Sequence, residues 1–362
     1  MLVKKLYLKD FRNAEEDDIS FGDGINVIYG KNAAGKTNIL ESIFYFAAGK
    51  SFRNCKDREM IAFGKEKALA EMVFSGNYGE KKMKAELSRS EKRKIFLGAN
   101  GPLKLSEYLG NFRAVVFTPD HLSLIKGSPE NRRRFLDLAI CQSFPRYASS
   151  ISEYNRVTVQ KNALLKSERI SDDLLAVYND RLAILSAVVT VNRRKYVSKL
   201  CEEASAFLGD MSGGKETLAL HYQSGCGDAL TQEEIREAYK KLFAEKLEAE
   251  KEKKISLYGA HKDDFLVCVN KKSARLYGSQ GQQRSTVLAL KLAEGELSYK
   301  LTGEYPVFLL DDILSELDEE RQKYILSRIG ERQVIITGCE SDAFYGEARK
   351  IFVNEGKICI SD

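Results

Sequence analysis

The chain has no tryptophan, five prolines and three histidines in 362 residues. Its seven cysteines, at 55, 141, 201, 226, 268, 339 and 359, stand singly, without a CxxC pair. With only His121, His221 and His261 to join them, no zinc framework can be drawn. An odd count of scattered cysteines reads as reduced, mostly buried thiols. No apolar run approaches the ~18 residues of a membrane span, and the longest, around 184–191, is far shorter. Met1-Leu2-Val3-Lys4-Lys5-Leu6 lacks an apolar signal core. A cytoplasmic protein with no membrane partner is therefore expected. Charge of one sign is scarce too: 57 Lys and Arg against 52 Asp and Glu leave +5, too dilute to imply nucleic-acid binding by itself.

What is present divides the chain into three textures. Residues 1–126 mix strand-like runs with glycine turns: 25–29, a meander over 69–74, 81–87 and 93–97, and 114–117. Asn100-Gly101 is a tight-turn signal. Residues 127–256 are helical, with no glycine between Pro129 and Leu208. Leu175, Tyr178, Leu182, Leu185, Val189, Val197 and Leu200 recur at helical spacing, predicting one long helix over 172–208 or two helices with a hidden break. A second helix, over 232–254, is dense in Glu and Lys. Residues 257–362 return to strands at 265–269, 307–310, 334–337 and 350–353, with a helix over 286–299. The pattern implies one α/β domain, completed in space by its two ends and interrupted by a helical insertion.

Gly30-Lys31-Asn32-Ala33-Ala34-Gly35-Lys36-Thr37 fits G-x4-G-K-[ST] at every fixed position. A strand precedes it and a helix-like run follows, the context in which backbone N–H groups and a helix end cradle phosphate. Lys36 would neutralise the β- and γ-phosphates of ATP, and the Thr37 hydroxyl would ligate Mg2+. Downstream, the apolar run Val307-Phe308-Leu309-Leu310 ends in Asp311-Asp312. Asp311 can hold the magnesium shell and Asp312 can address the attacking water, so Lys36 and Asp312 are the catalytic candidates. Tyr277-Gly278-Ser279-Gln280-Gly281-Gln282 opens a helix with small and amide residues; taken alone it reads equally well as a helix cap.

Placed upstream of the Asp311 strand, the Ser279–Gln282 segment resembles the signature motif of ABC-type ATPases, and Ser315-Glu316-Leu317-Asp318 resembles their D-loop. Phe11-Arg12-Asn13, Lys50-Ser51-Phe52-Arg53, the stretch from Pro129 to Asp137, Gln160-Lys161-Asn162-Ala163-Leu164-Leu165 and Gly259-Ala260-His261-Lys262-Asp263-Asp264 extend the likeness. Together these stretches resemble the RecF family of bacterial recombination mediators. The resemblance implies an ABC-type P-loop ATPase head with a mixed sheet, interrupted by an α-helical arm (lobe II). It also implies an ATP-dependent homodimer in which Ser279 and Gln282 reach the nucleotide of the opposite protomer. Further implications are gap repair, DNA replication, SOS signalling and loading of RecA with RecO and RecR.

Departures from the family pattern are visible. Ala260 stands in place of proline, and Lys161 and Lys262 in place of arginine, which keeps the charge but loses bidentate geometry. Gly338-Cys339 offers no switch histidine of the transporter type. Asp312 replaces the transporters' glutamate, and its shorter reach implies slow turnover. For DNA, duplex or gapped with single strands left open, the candidate contacts are Lys81, Lys82, Lys84, Arg132 and Arg133, with Arg53, Lys56 and Arg58 added. A solvated basic edge is the alternative for each cluster, and the 132–134 run can instead pair with acids inside the arm. The lack of aromatic–basic alternation favours tracking of a duplex backbone over base stacking. Two competing functions remain: a transporter-type ATPase subunit, and a nucleotide-dependent scaffold that never needs hydrolysis.

Overall fold

The computed structural model describes residues 1–338, 348–354 and 357–360, the last group as backbone. The chain divides into two units, one of Met1–His121 with Leu288–Asp362 and one of Leu122–Val287.

The first unit holds two sheets. One has six strands in the order Lys357–Ile360, Arg349–Asn354, Ile25–Tyr29, Val334–Gly338, Val307–Leu310, Ala114–Phe117. All neighbours run parallel except the edge pair of Lys357–Ile360 with Arg349–Asn354. Every residue of Val307–Leu310 and Ala114–Phe117 is buried, which explains runs of Val, Leu, Ala and Phe without polar alternation. The helix Lys36–Ala48 starts directly after the phosphate-loop strand and packs on Ala114–Phe117 and Val334–Gly338. It ends at Gly49, whose left-handed backbone (φ 65°) lets its N–H bond Tyr45 O at 2.8 Å.

The other sheet is antiparallel, ordered Ala14–Ser20, Leu2–Phe11, Lys67–Gly76, Gly79–Ser88, Lys94–Leu97. Alternation decides its faces: Ala68, Ala70, Met72 and Phe74 are buried, as are Met83, Ala85 and Leu87 on the next strand. The meander predicted over 69–97 is present, its first two strands longer and its third one residue shorter than expected, and its first hairpin turn is Asn77-Tyr78. Buried Gln333 ties the two sheets, accepting from Val3 N–H at 2.6 Å and donating to Val3 O at 2.7 Å.

The second unit is mostly helical: Pro129–Ser143, Pro145–Leu165, Asp172–Met211, Gln232–Glu245 and Leu247–Lys253. Asp172–Met211 is one unbroken helix, so the two-helix alternative falls. The Ser171 hydroxyl caps it by accepting from Leu174 N–H at 3.3 Å, and Asp172 and Asp173 complement its positive end. By length and composition alone this helix could cross a bilayer. Its apolar positions, among them Leu182, Leu185, Val189 and Leu200, are buried, and it packs on Pro145–Leu165 and Gln232–Glu245. The helix expected over 232–254 is two, broken at Lys246.

The unit boundary also differs from the sequence reading, which joined residues 257–287 to the head. The strand Asp264–Val269 instead pairs with Leu218–Gln223 and Lys272–Ser273 in a three-stranded sheet of the helical unit. The division falls inside the helix Gln280–Thr302, which carries no sequence break at that point.

Family-like stretches meet in this unit as buried polar pairs. Lys161 bonds Glu250 at 2.6 Å, both fully buried. Arg193 forks onto Asp137 with two bonds of 2.8 Å. Asp263 accepts from Tyr222, Thr190 and Tyr239 at 2.7, 3.0 and 3.0 Å. His261 is held neutral: Nε2–H donates to Ser256 O at 3.1 Å, so Nδ1 accepts the Tyr154 O–H at 2.6 Å. Burial pushes its pKa down to about 4. Between about pH 6.5 and 4 the unfolded chain therefore binds the proton first, so this contribution is present above pH 6.5 and is lost as pH falls. We expect the His261 share of stability to fall by about 2 kcal/mol from pH 7.5 to 5. Urea unfolding of the parent and of His261→Gln checks this, since the variant should lose that part of the pH dependence.

Candidate nucleotide site

The phosphate loop takes backbone conformations that its small residues permit. Gly30 has φ 150°, and a Cβ there would lie 2.1 Å from Val353 O. At Gly35, φ is 112°, and a Cβ would strike the Asn13 amide at 2.7 Å. Ala33 is left-handed at φ 65°. The curl leaves a cavity of about 330 Å³ lined by Asn13, Asn32, Ala33, Ala34, Gly35, Lys36, Thr37, Asn38, Arg53 and Asp312. Buried Lys36 folds back on the loop, donating to Gly30 O at 2.8 Å and Lys31 O at 3.0 Å. Its ammonium thus stays close to the loop's own carbonyls, at the wall of the cavity.

The strand Val307–Leu310 delivers Asp311 and Asp312 to the carboxyl end of the sheet, where open α/β sheets bind ligands. Burial pushes the Asp311 carboxyl up from the ordinary aspartate range, opposed by hydrogen bonds from Thr37 and Thr337. Asp312 lies on the cavity wall with a left-handed backbone, φ 49°. The Thr37 hydroxyl and Asp311 carboxylate are hard oxygen donors side by side, a set that suits Mg2+ shared with substrate phosphates. Among the described residues no cluster of three or more His, Cys, Asp or Glu forms a self-sufficient metal cage.

A family model described as the RecF/RecN/SMC N-terminal domain matches residues 2–357. A DNA replication and repair protein RecF from Clostridium acetobutylicum is 38% identical over 338 residues, covering 93% of this chain and 92% of its own length. Its counterpart from Desulfitobacterium hafniense (strain DCB-2) is 38% identical over 99% of both chains. This chain belongs to the RecF family. Among solved structures, the recombination mediator protein RecF-ATP of the RecFOR pathway matches with TM-score 0.94 and 32% identity, covering 100% of this chain and 98% of that one. An SMC head bound to the C-terminal winged-helix domain of ScpA aligns at TM-score 0.56 and 16% identity, a likeness of fold alone.

The RecF-like Phe11-Arg12-Asn13 stretch meets Ser51 and Arg53 beside the loop. Arg12 forks onto buried Glu41 at 2.9 and 2.7 Å, and the Ser51 hydroxyl donates to the same carboxylate. Glu41 lay within the helix after the loop with nothing in the sequence marking it. Arg53, a sequence candidate for DNA, lines the loop cavity instead and donates to Asn38 Oδ1 at 2.9 Å. Lys56 and Arg58 are exposed.

Ser279 is an exposed helix cap in the second unit. Its hydroxyl accepts from Gln282 N–H at 3.2 Å, and its own N–H donates to Gln282 Oε1 at 3.0 Å. Gln282 Nε2 also donates to Glu216 at 2.9 Å. The segment is thus a well-made helix cap at an exposed position. The expected switch position at Cys339 lies outside the described residues.

The basic candidates separate. Arg132 is buried and forks onto Asp264 at 2.7 and 2.8 Å, so it belongs to the interior and not to a DNA surface. Half-buried Arg133 donates to Asp263 O at 2.8 Å. Lys82 and Lys84 share the open face of the antiparallel sheet, where Lys82 pairs with Glu71 at 2.5 Å and Lys84 with Glu86 at 2.8 Å. Lys81 has the opposite parity and lies 5.6 Å from the Tyr78 ring centre. Arg93 anchors Gly49 O and Asp57 rather than facing a ligand. The run of lysines is thus a mixed-charge surface, not one basic stripe.

Proposed function

We propose that the chain binds ATP at residues 30–37 and works in DNA replication and recombinational repair. It does so by closing two copies on DNA in the cytoplasm, with RecO and RecR as partners and RecA loading as the indirect outcome. The observation that carries this reading is the phosphate loop, with retracted Lys36, in one cavity with Asp312 beside buried Asp311, in a chain that aligns end to end with RecF-ATP. Backbone N–H groups of Gly30, Lys31, Asn32, Ala33, Ala34 and Gly35 cradle the phosphates, and Lys36 neutralises their charge. Thr37 and Asp311 would hold Mg2+, which when bound supplies further neutralisation of phosphate charge. Asp312 accepts a proton from the attacking water. On the DNA side, Lys81, Lys82, Lys84 and Arg133 keep only a phosphate-tracking role, without base readout.

Ser279 and Gln282 serve the nucleotide of a second copy, since this exposed helix start presents the positive end of the helix dipole, and an arriving phosphate could replace the cap's own bonds. Ser279→Arg is expected to bind ATP within about twofold of the parent yet remain monomeric in light scattering with ATP, because a bulky cation replaces the small cap at the contact. ATP-driven dimers of that variant would refute the role across the interface. Gel shifts on duplex, gapped and single-stranded DNA, with and without ATP, test the clamp itself; a parent whose DNA affinity ignores ATP would remove it.

A further inference from the structure

We infer that Thr337 is a positioning residue that fixes the Asp311–Asp312 pair, and this rests on the nucleotide reading given above. The strand Val334–Gly338 lies between the phosphate-loop strand and the strand ending at Leu310, parallel to both. Its residues 334–336 are Val-Ile-Ile, buried and apolar, and Thr337 continues the same buried run with 3% of its surface exposed. A buried hydroxyl in that setting is unfavourable unless its hydrogen bonds are made. Thr337 makes two that converge on the acid turn: Oγ1 donates to Asp311 Oδ1 at 3.0 Å and accepts from Asp312 N–H at 3.0 Å.

One hydroxyl therefore sets two things together. It fixes the rotation of the Asp311 carboxylate, to which the Thr37 hydroxyl also bonds. It also holds the peptide N–H of Asp312, whose left-handed backbone aims the side chain into the loop cavity. A left-handed aspartate is a minor conformation that surrounding bonds must maintain. Thr37 restrains the Asp311 carboxylate but not the Asp312 backbone, which Thr337 holds. Thr337 does so without lining the cavity, so its loss should disturb metal use and turnover while sparing nucleotide affinity.

Thr337→Val keeps shape and removes the hydroxyl; Thr337→Ala is a second hydroxyl-free variant, and Thr337→Ser restores the group. A fluorescent ATP analogue titrated with and without Mg2+ reads binding, and steady-state turnover separates kcat from KM. For valine and alanine we expect metal-free affinity within about twofold of the parent. The Mg2+ needed for half-maximal effect should rise about tenfold, and kcat should fall about tenfold at little-changed KM, about 1.4 kcal/mol of lost transition-state stabilisation. Serine should recover most of both. Valine and alanine chains that match the parent overturn the inference, as does a serine chain as impaired as valine, since packing would then be the role. A parent that binds no ATP overturns the nucleotide reading and this inference with it; a parent that binds ATP beside an unaffected valine chain overturns this inference alone.

Discussion

Lys36→Ala is expected to weaken ATP binding about a hundredfold while leaving the fold in place, since charge-assisted bonds to phosphate contribute about 1.5–3 kcal/mol. The side chain is buried, and among the described residues its ammonium bonds Gly30 O and Lys31 O of its own loop. Removing it leaves those two carbonyls at the edge of an open cavity, where water can replace the donor. The melting temperature should therefore shift by only a few degrees, while calorimetric titration with Mg2+–ATP should lose most of its signal. Affinity equal to that of the parent would sink the phosphate-loop assignment. A chain that neither melts cooperatively nor binds would show instead that the lysine holds the loop together.

That prediction could be written from the sequence, because the loop's chemistry is local: glycines, lysine and threonine within eight residues, followed at once by a helix. Asp311 was legible for the same reason, as an acid closing a fully apolar run. Features made by distant residues were not. Arg132 finds Asp264 across 132 positions, and no local property of the Arg132–Arg134 run tells a buried arginine from an exposed one. The lysines after Gly79 looked like a basic stripe because a string hides both the two-residue alternation of a strand and the Glu71 across the ladder. The Asp264–Val269 strand was joined to the head because strand character does not name a partner; only pairing with Leu218–Gln223 does. Thr337 was read simply as the end of an apolar strand. Its significance arises from the acid turn after a neighbouring strand, 26 and 25 positions away.

Asp312→Asn is the variant in which chemistry and DNA binding should come apart. The amide keeps size and the Asp312 N–H bond to Thr337, so the turn should persist and ATP should bind within about twofold of the parent. What is lost is the proton acceptor for the attacking water, and turnover should fall by about a hundredfold or more, at the lower end of general-base contributions. Because Lys82 and Lys84 are each opposed by a glutamate, that sheet face alone should grip DNA weakly, and on the clamp reading retention comes from closure of two copies with both nucleotides intact. The variant should then leave duplex DNA more slowly than the parent at equal ATP, measured as a dissociation rate after challenge with competitor DNA. Raising salt should speed release from both proteins, because the contacts are to phosphates. Should Asp312→Asn hydrolyse slowly yet release DNA as fast as the parent, hydrolysis is not the release step, and ATP would act by binding alone, as a scaffold requires.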